Sequence, residues 1–183
     1  MEKHLSLATF GGGCFWCTEA IFQRLKGVES VTPGYSGGTV ENPTYDQVSA
    51  GNTGHAEVIQ VEFDESVLSY KDLLYVFFAL HDPTTVDRQG ADVGTQYRSV
   101  VFYHTMEQKA VAEALIQELN ESGKYKKLIA TQVVMLDKFY KAEGYHKDYY
   151  NSNKNAPYCM VVIDPKIEKL YREFGDKVKE DSK

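Results

Sequence analysis

The sequence predicts one α+β domain, a small mixed β-sheet backed by helices and joined by long loops. Strand-like and helix-like stretches alternate along the chain, with no linker, repeat or low-complexity tract between them. Its 183 residues suit one domain and are enough to bury a real core. A hydrophobic fraction of 43% and a charged fraction of 25% are those of an ordinary globular protein. We therefore read residues 1–183 as one domain, with a segment over roughly 150–183 that carries Cys159 and a final helix.

An apolar run at Leu5, Leu7, Ala8 and Phe10 reads as the first strand and ends in Gly11-Gly12-Gly13. Apolar residues then recur at helical spacing (Trp16, Ala20, Ile21, Phe22, Leu25) up to Gly27. Val28 to Tyr35 is strand-like before its Pro33-Gly34, and 36–45 is a loop rich in turn formers. One short helical piece is expected over 45–50. Alternation at Ile59, Val61 and Phe63 marks a half-buried strand over 55–63. Ser69, with Asp72 three residues on, caps a helix whose apolar face is Tyr70, Leu73, Leu74, Phe77 and Phe78. His81-Asp82-Pro83 breaks it, and 84–96 reads as a polar loop without structure of its own. A strand follows over 97–103. Thr105 and Gln108 are placed as a capping box, opening a helix with Val111, Ala114, Leu115 and Leu119 that stops at Ser122-Gly123. A strand over 133–136 and a short helix within 143–153 come next. In the last helix Asp164 is read as the cap, Pro165 as the first turn, and Ile167, Leu170, Tyr171, Phe174 and Val178 as the stripe. The leading order of strand, helix, two strands, helix and strand is that of a ferredoxin-like βαββαβ core.

A net charge of −6 without a basic run argues against a nucleic-acid binder. The start, Met1-Glu2-Lys3-His4, is unlike a signal peptide, and there is no 18-residue apolar stretch, so no membrane role and a cytoplasmic address are expected. Three cysteines, an odd number, do not make a disulfide framework. Thirteen tyrosines and nine phenylalanines against one tryptophan suit either a tyrosine-studded core or a pocket with greasy walls and a polar end. We expect a monomer.

The chemistry centres on Gly11-Gly12-Gly13-Cys14-Phe15-Trp16-Cys17. A strand, a glycine turn and a helix start put Cys14 at a helix N-terminus. Free backbone N–H groups and the helix dipole there favour an anion, so this thiol should ionise more easily than a free one. The residues alone leave three uses open: a nucleophile or redox pair, half of a zinc site, or inert core. Zinc is disfavoured because no second Cys-x-x-Cys exists and the five histidines lack ligand spacing.

Gly13-Cys14-Phe15-Trp16, Gly34-Tyr35-Ser36-Gly37-Gly38, Asn42-Pro43-Thr44-Tyr45, Gly54-His55-Ala56-Glu57, His81-Asp82-Pro83 and Gly94-Thr95-Gln96-Tyr97-Arg98-Ser99 resemble peptide methionine sulfoxide reductase A. The 142–150 stretch, Ala142-Glu143-Gly144-Tyr145-His146-Lys147-Asp148-Tyr149-Tyr150, continues the match, so the resemblance covers nearly the whole chain. It implies reduction of methionine-(S)-sulfoxide, free or in proteins and peptides, with no bound cofactor or metal and with thioredoxin as reductant. It assigns Cys14 as nucleophile, Glu57 as an acid kept protonated by apolar surroundings, and Tyr45 and Tyr97 as donors to the sulfoxide oxygen. Phe15 and Trp16 would wall the substrate methyl group; Asp92, His146 and Tyr149 would lie in the outer substrate site. After one turnover Cys14 would be a sulfenic acid, to be condensed with a second thiol. The sequence departs from the commonest family form by having Cys17 where glycine is usual. Family position favours Cys159 as the resolving thiol and spacing favours Cys17, and the sequence does not choose between them.

Overall fold

The computed structural model describes residues 2–182. Along the chain come β1 (Leu5–Gly11), α1 (Phe15–Phe22), β2 (Val28–Ser36), α2 (Tyr45–Ser49), β3 (Ala56–Asp64) and α3 (Tyr70–Ala79). They are followed by β4 (Arg88–Gln89), β5 (Asp92–Val93), β6 (Val100–Tyr103), α4 (Met106–Glu121), β7 (Gln132–Met135), β8 (Phe139–Lys141), α5 (Tyr149–Ser152) and α6 (Asp164–Phe174). Six strands form a mixed sheet in the order β7-β6-β1-β3-β2-β8. All neighbours are antiparallel except β6 and β7.

The period of two decides which side chains meet the helices. On β3 the odd positions Ile59, Val61 and Phe63 enter the main core with Phe10, Phe15, Phe22, Phe77 and Phe78. The even position Val58 joins a smaller cluster with Ala56, Val100 and Phe102 on the other face. Glu57 has the parity of the main core and pairs directly with Tyr35 of β2. A carboxyl group is thereby delivered into the helix-covered face.

The two capped starts at Thr44 and Ser69 are full capping boxes. Thr105 accepts from the Gln108 N–H, but the Gln108 side chain reaches back to His104 rather than to Thr105, so the expected box is only half formed.

Five local expectations are corrected. Strand β2 runs through Pro33-Gly34 to Ser36, because Pro33 stays in register with Ile59 and Gly34 makes room for β8: a Cβ there would lie 2.5 Å from the Phe139 ring. The 84–96 stretch is not structureless but holds the β4–β5 hairpin and a 3₁₀ turn, Thr95–Tyr97. Strand β8 was missed, its three residues being too few to show alternation. Asp164 does not cap α6; a π-helical turn, Cys159–Ile163, runs into it, and the Asp164 carboxylate instead accepts from the Tyr150 hydroxyl at 2.6 Å. Val178 lies beyond the helix and bridges to Leu25.

Candidate active site

Cys14 is the extended N-cap residue of α1, reached from Gly13 at φ +85°. The glycines are there for close approach: a Cβ on Gly11 would sit 2.9 Å from the Glu57 carbonyl oxygen, and one on Gly13 2.8 Å from the Gln89 side chain. The Gly13 N–H donates to the Tyr97 carbonyl at 3.2 Å, tying the cysteine turn to the 3₁₀ turn that carries Tyr97.

Glu57 is 1% exposed, and its Oε1 accepts from the Phe15 N–H at 3.1 Å. Burial raises its pKa to about 8; the Phe15 bond opposes this, and the charges of Asp92 and Cys17 add to it. Its carboxyl group is thus largely protonated at neutral pH. Tyr45 and Tyr97 are both pushed up by burial and then by Glu57, and each also feels Cys14. Four groups therefore converge: a thiol, a protonated carboxyl and two phenols. Tyr45 is held from behind by Glu143, whose carboxylate accepts from the Tyr45 N–H and from the Tyr35 hydroxyl, both at 2.9 Å.

The expected ease of ionisation at Cys14 is overturned. Cys14 is only 9% exposed, and burial lifts its pKa well above the ordinary thiol range. Its hydrogen bond to Cys17 and the nearby charge of Glu57 push the same way, while the Trp16 N–H, the helix-start effect read from the sequence, opposes them and loses. The mirror image appears at Cys17, drawn down to about 7 by the bond from Cys14, against burial and with help from Lys166 and the Tyr158 hydroxyl. Of the pair, Cys17 is the more easily ionised and Cys14 the less.

Phe15 is fully buried between Tyr35, Tyr45 and His146, with ring centroids 5.7, 6.4 and 5.0 Å away. Trp16 is partly exposed, stacks on Tyr149 at 3.7 Å and 7°, and donates from Nε1 to His146 Nδ1 at 3.0 Å. That bond leaves the His146 proton on Nε2, a buried atom with no partner. Asp92 lies on the β4–β5 hairpin and accepts from the Tyr158 hydroxyl at 2.8 Å. All the site residues named from the sequence thus fall in one region. Cys159 is buried in the same cluster as Cys14 and Cys17, and burial, Cys17 and Asp164 all raise its pKa.

Tyr158 was not singled out beforehand. Its hydroxyl lies 3.7 Å from Cys17 Sγ as well as on Asp92, and its ring meets Trp16 edge-on at 5.9 Å. Adjacency to Cys159 was the only available signal. Among the described residues no group of three or more His, Cys, Asp or Glu side chains is arranged to hold a metal ion. No described helix is long and apolar enough to cross a membrane.

A family model described as "Peptide methionine sulfoxide reductase" matches residues 6–178. The chain is 56% identical over 173 residues to "Peptide methionine sulfoxide reductase MsrA" of Sulfolobus acidocaldarius, covering 94% of this chain and 97% of that one. It is similar to the crystal structure of reduced Mxr1 from Saccharomyces cerevisiae, with a TM-score of 0.78 and 33% identity over 85% of this chain and 89% of that one. Mxr1 in complex with Trx2 is similar at a TM-score of 0.54 and 24% identity, over 81% and 89% of the two chains, a likeness of fold alone.

Proposed function

Because the chain belongs to the peptide methionine sulfoxide reductase A family of oxidoreductases, we propose that Cys14 reduces methionine-(S)-sulfoxide, free or in peptides, with Glu57 as the acid. The observation that carries this reading is the Glu57 carboxyl group, buried, raised to about 8 and adjoining the Cys14 turn through Phe15.

A sulfoxide oxygen leaves only if it is protonated or firmly hydrogen-bonded as the S–O bond weakens. The Cys14 thiol proton is shared with Cys17, and a thiolate forms on Cys14 as the electron-poor sulfoxide sulfur approaches. Its electron pair attacks that sulfur while Glu57 protonates the oxygen and the Tyr45 and Tyr97 hydroxyls hold it. The S–O bond breaks as the oxygen leaves as water, leaving the Cys14 sulfur bonded to a sulfonium. Water then adds to the Cys14 sulfur and breaks that S–S bond, so methionine departs two electrons richer and Cys14 is left as a sulfenic acid. Phe15 and Trp16 wall the methyl group and so select the epimer. Asp92, His146 and Tyr149 border the rest of the substrate, with the His146 Nε2–H an unpaired donor within reach of this wall.

Cys17 is the resolving thiol on this reading. It shares a hydrogen bond with Cys14, and its pKa of about 7 provides thiolate at neutral pH. Its sulfur displaces hydroxide from the sulfenic acid, which leaves as water and a Cys14–Cys17 disulfide. A dithiol then opens that disulfide by exchange, for which thioredoxin is the reductant we assign.

Turnover of the separated sulfoxide epimers with a thioredoxin supply tests the reading. The S epimer should be consumed and the R epimer spared, and Glu57→Gln should lower kcat/KM for the S epimer by about 10²–10³-fold. A Glu57→Gln enzyme near the parent rate would instead make this a general thiol–disulfide exchanger built on Cys14 and Cys17.

A further inference from the structure

Just past the C-terminus of α1, Gln23 and Arg24 line a cavity of about 620 Å³, together with residues from 147–154 around α5 and from 179–182 near the end of the chain. It shares no residue with the site around Cys14. Arg24 is 8% exposed, and a guanidinium withdrawn from water ordinarily meets a carboxylate. Its partners here are all uncharged. Nη1 donates to the Ala20 carbonyl at 2.5 Å, Nη2 donates to Asn151 Oδ1 at 3.1 Å, and the centre of the Tyr150 ring lies 5.1 Å from the guanidinium. No carboxylate among the described residues forms an ion pair with it. The Arg24 Nε–H is buried with no acceptor among the described residues, and so is the Nε2 amide of Gln23. Two consecutive residues lining one cavity thus hold buried donors with nothing to receive them, and one of the two carries an uncompensated charge.

The rest of the lining adds to that charge. Lys147 gives one N–H to the Val31 carbonyl, and Lys179 gives two, to the Gln23 and Val28 carbonyls at 3.1 and 2.9 Å. An ammonium has three donors, so both lysines keep some for a ligand. Lys154 is exposed and lies 5.8 Å from the centre of the Tyr150 ring. Four cations, Arg24 and these three lysines, therefore face two carboxylates, Asp148 and Asp181, a surplus of two in a chain whose net charge is −6. Asp148 already accepts from the Asn151 side chain at 2.7 Å. We propose that this cavity binds a phosphate dianion, either free or as the head of a small ester. A phosphomonoester carries about −1.5 to −2 at pH 7, which matches the surplus, whereas a carboxylate would neutralise only half of it. Its terminal oxygens are strong acceptors for guanidinium, amide and ammonium donors. A water in the same place would satisfy a donor and leave the Arg24 charge without a counter-ion. Small-molecule sites span about 300–1,000 Å³, so there is room for more than the phosphate group. This inference is independent of the sulfoxide-reductase reading.

Titration calorimetry on the full chain at about 0.15 M salt tests the site, with inorganic phosphate, glycerol 3-phosphate, acetate and glycerol as separate probes. At least one of the two phosphates should bind one to one with a Kd below about 1 mM, and the tighter of them identifies the source as free phosphate or ester. Acetate should bind at least about tenfold more weakly, and glycerol should give no heat of binding. Arg24→Gln should abolish phosphate binding. Lys154→Glu, an exchange at an exposed position that sets a third carboxylate against the ligand, should weaken it about tenfold, and Asp181→Asn should tighten it about threefold. These two surface variants decide the matter if Arg24→Gln does not fold. Absence of phosphate binding in the parent, acetate binding as tight as phosphate, or a parent-like Kd in Lys154→Glu or in folded Arg24→Gln would each overturn the proposal.

Discussion

The first turn of α1 and the π-helical turn after Tyr158 both bury a thiol, yet they treat it differently. At α1 the chain arrives extended at Cys14, so first-turn N–H groups stay open: Phe15 donates to Glu57, and Trp16 faces the sulfur. At Cys159 the helical conformation has already begun, with Tyr158 in it and the Met160 N–H bonded to the Ala156 carbonyl at 3.1 Å. Every influence recorded on Cys159 pushes its pKa up, whereas Cys17 has a thiol donor, a phenol and a lysine drawing it down. Depth of burial alone does not decide which thiol is poised to react; the donors around the sulfur do.

Breaking the α1 turn should have the largest effect. Cys14→Ser should lower turnover by more than about 10³-fold, measured as methionine released per enzyme, while methionine sulfoxide still binds. Resolving cysteines sharpen the contrast next. Cys17→Ser should still release one methionine per enzyme but lose about 10²-fold in thioredoxin-fed steady state, whereas Cys159→Ser should stay within about threefold of the parent. A mass-spectrometric disulfide map after one turnover checks the same point, and a Cys14–Cys159 bond would reverse the assignment.

The pH profile should show the same asymmetry. Activity needs the cysteine pair ionised, which fails as pH falls through about 7 at Cys17, and Glu57 protonated, which fails as pH rises through about 8. The kcat/KM profile should therefore peak between these values, and the residual rate of Glu57→Gln should lack the alkaline fall. The smallest effect is expected from Tyr158→Phe. Removing a hydroxyl 3.7 Å from Cys17 Sγ should move the acid limb upward by about half a pH unit.

Much of this site was readable along the chain because its signals are local. Gly11-Gly12-Gly13 ahead of an apolar helical period put Cys14 at a helix start, and the N-cap geometry agrees. Ile59, Val61 and Phe63 gave the strand its parity; Glu57, named only through the family resemblance, lies two residues before the first of them, on the same face. Ser69 announced its helix by side chain. Short or unusual pieces gave no such signal. Strand β8 is three residues long, the β4–β5 hairpin has two residues per strand, and the Cys159–Ile163 turn hides an early helix start behind an apparent Asp164 cap.

The sequence alone determined where a cysteine would meet a helix N-terminus, since that follows from a glycine turn and an apolar period within a few residues, whereas Glu57 was named by the family resemblance. Only the folded chain decided how those groups titrate. The raised pKa of Cys14, the pKa of about 7 at Cys17 and the bond from Tyr158 to Asp92 depend on burial and on partners up to 141 residues away. Desolvation and Coulomb energy act through space, and the space around a sulfur is built by packing.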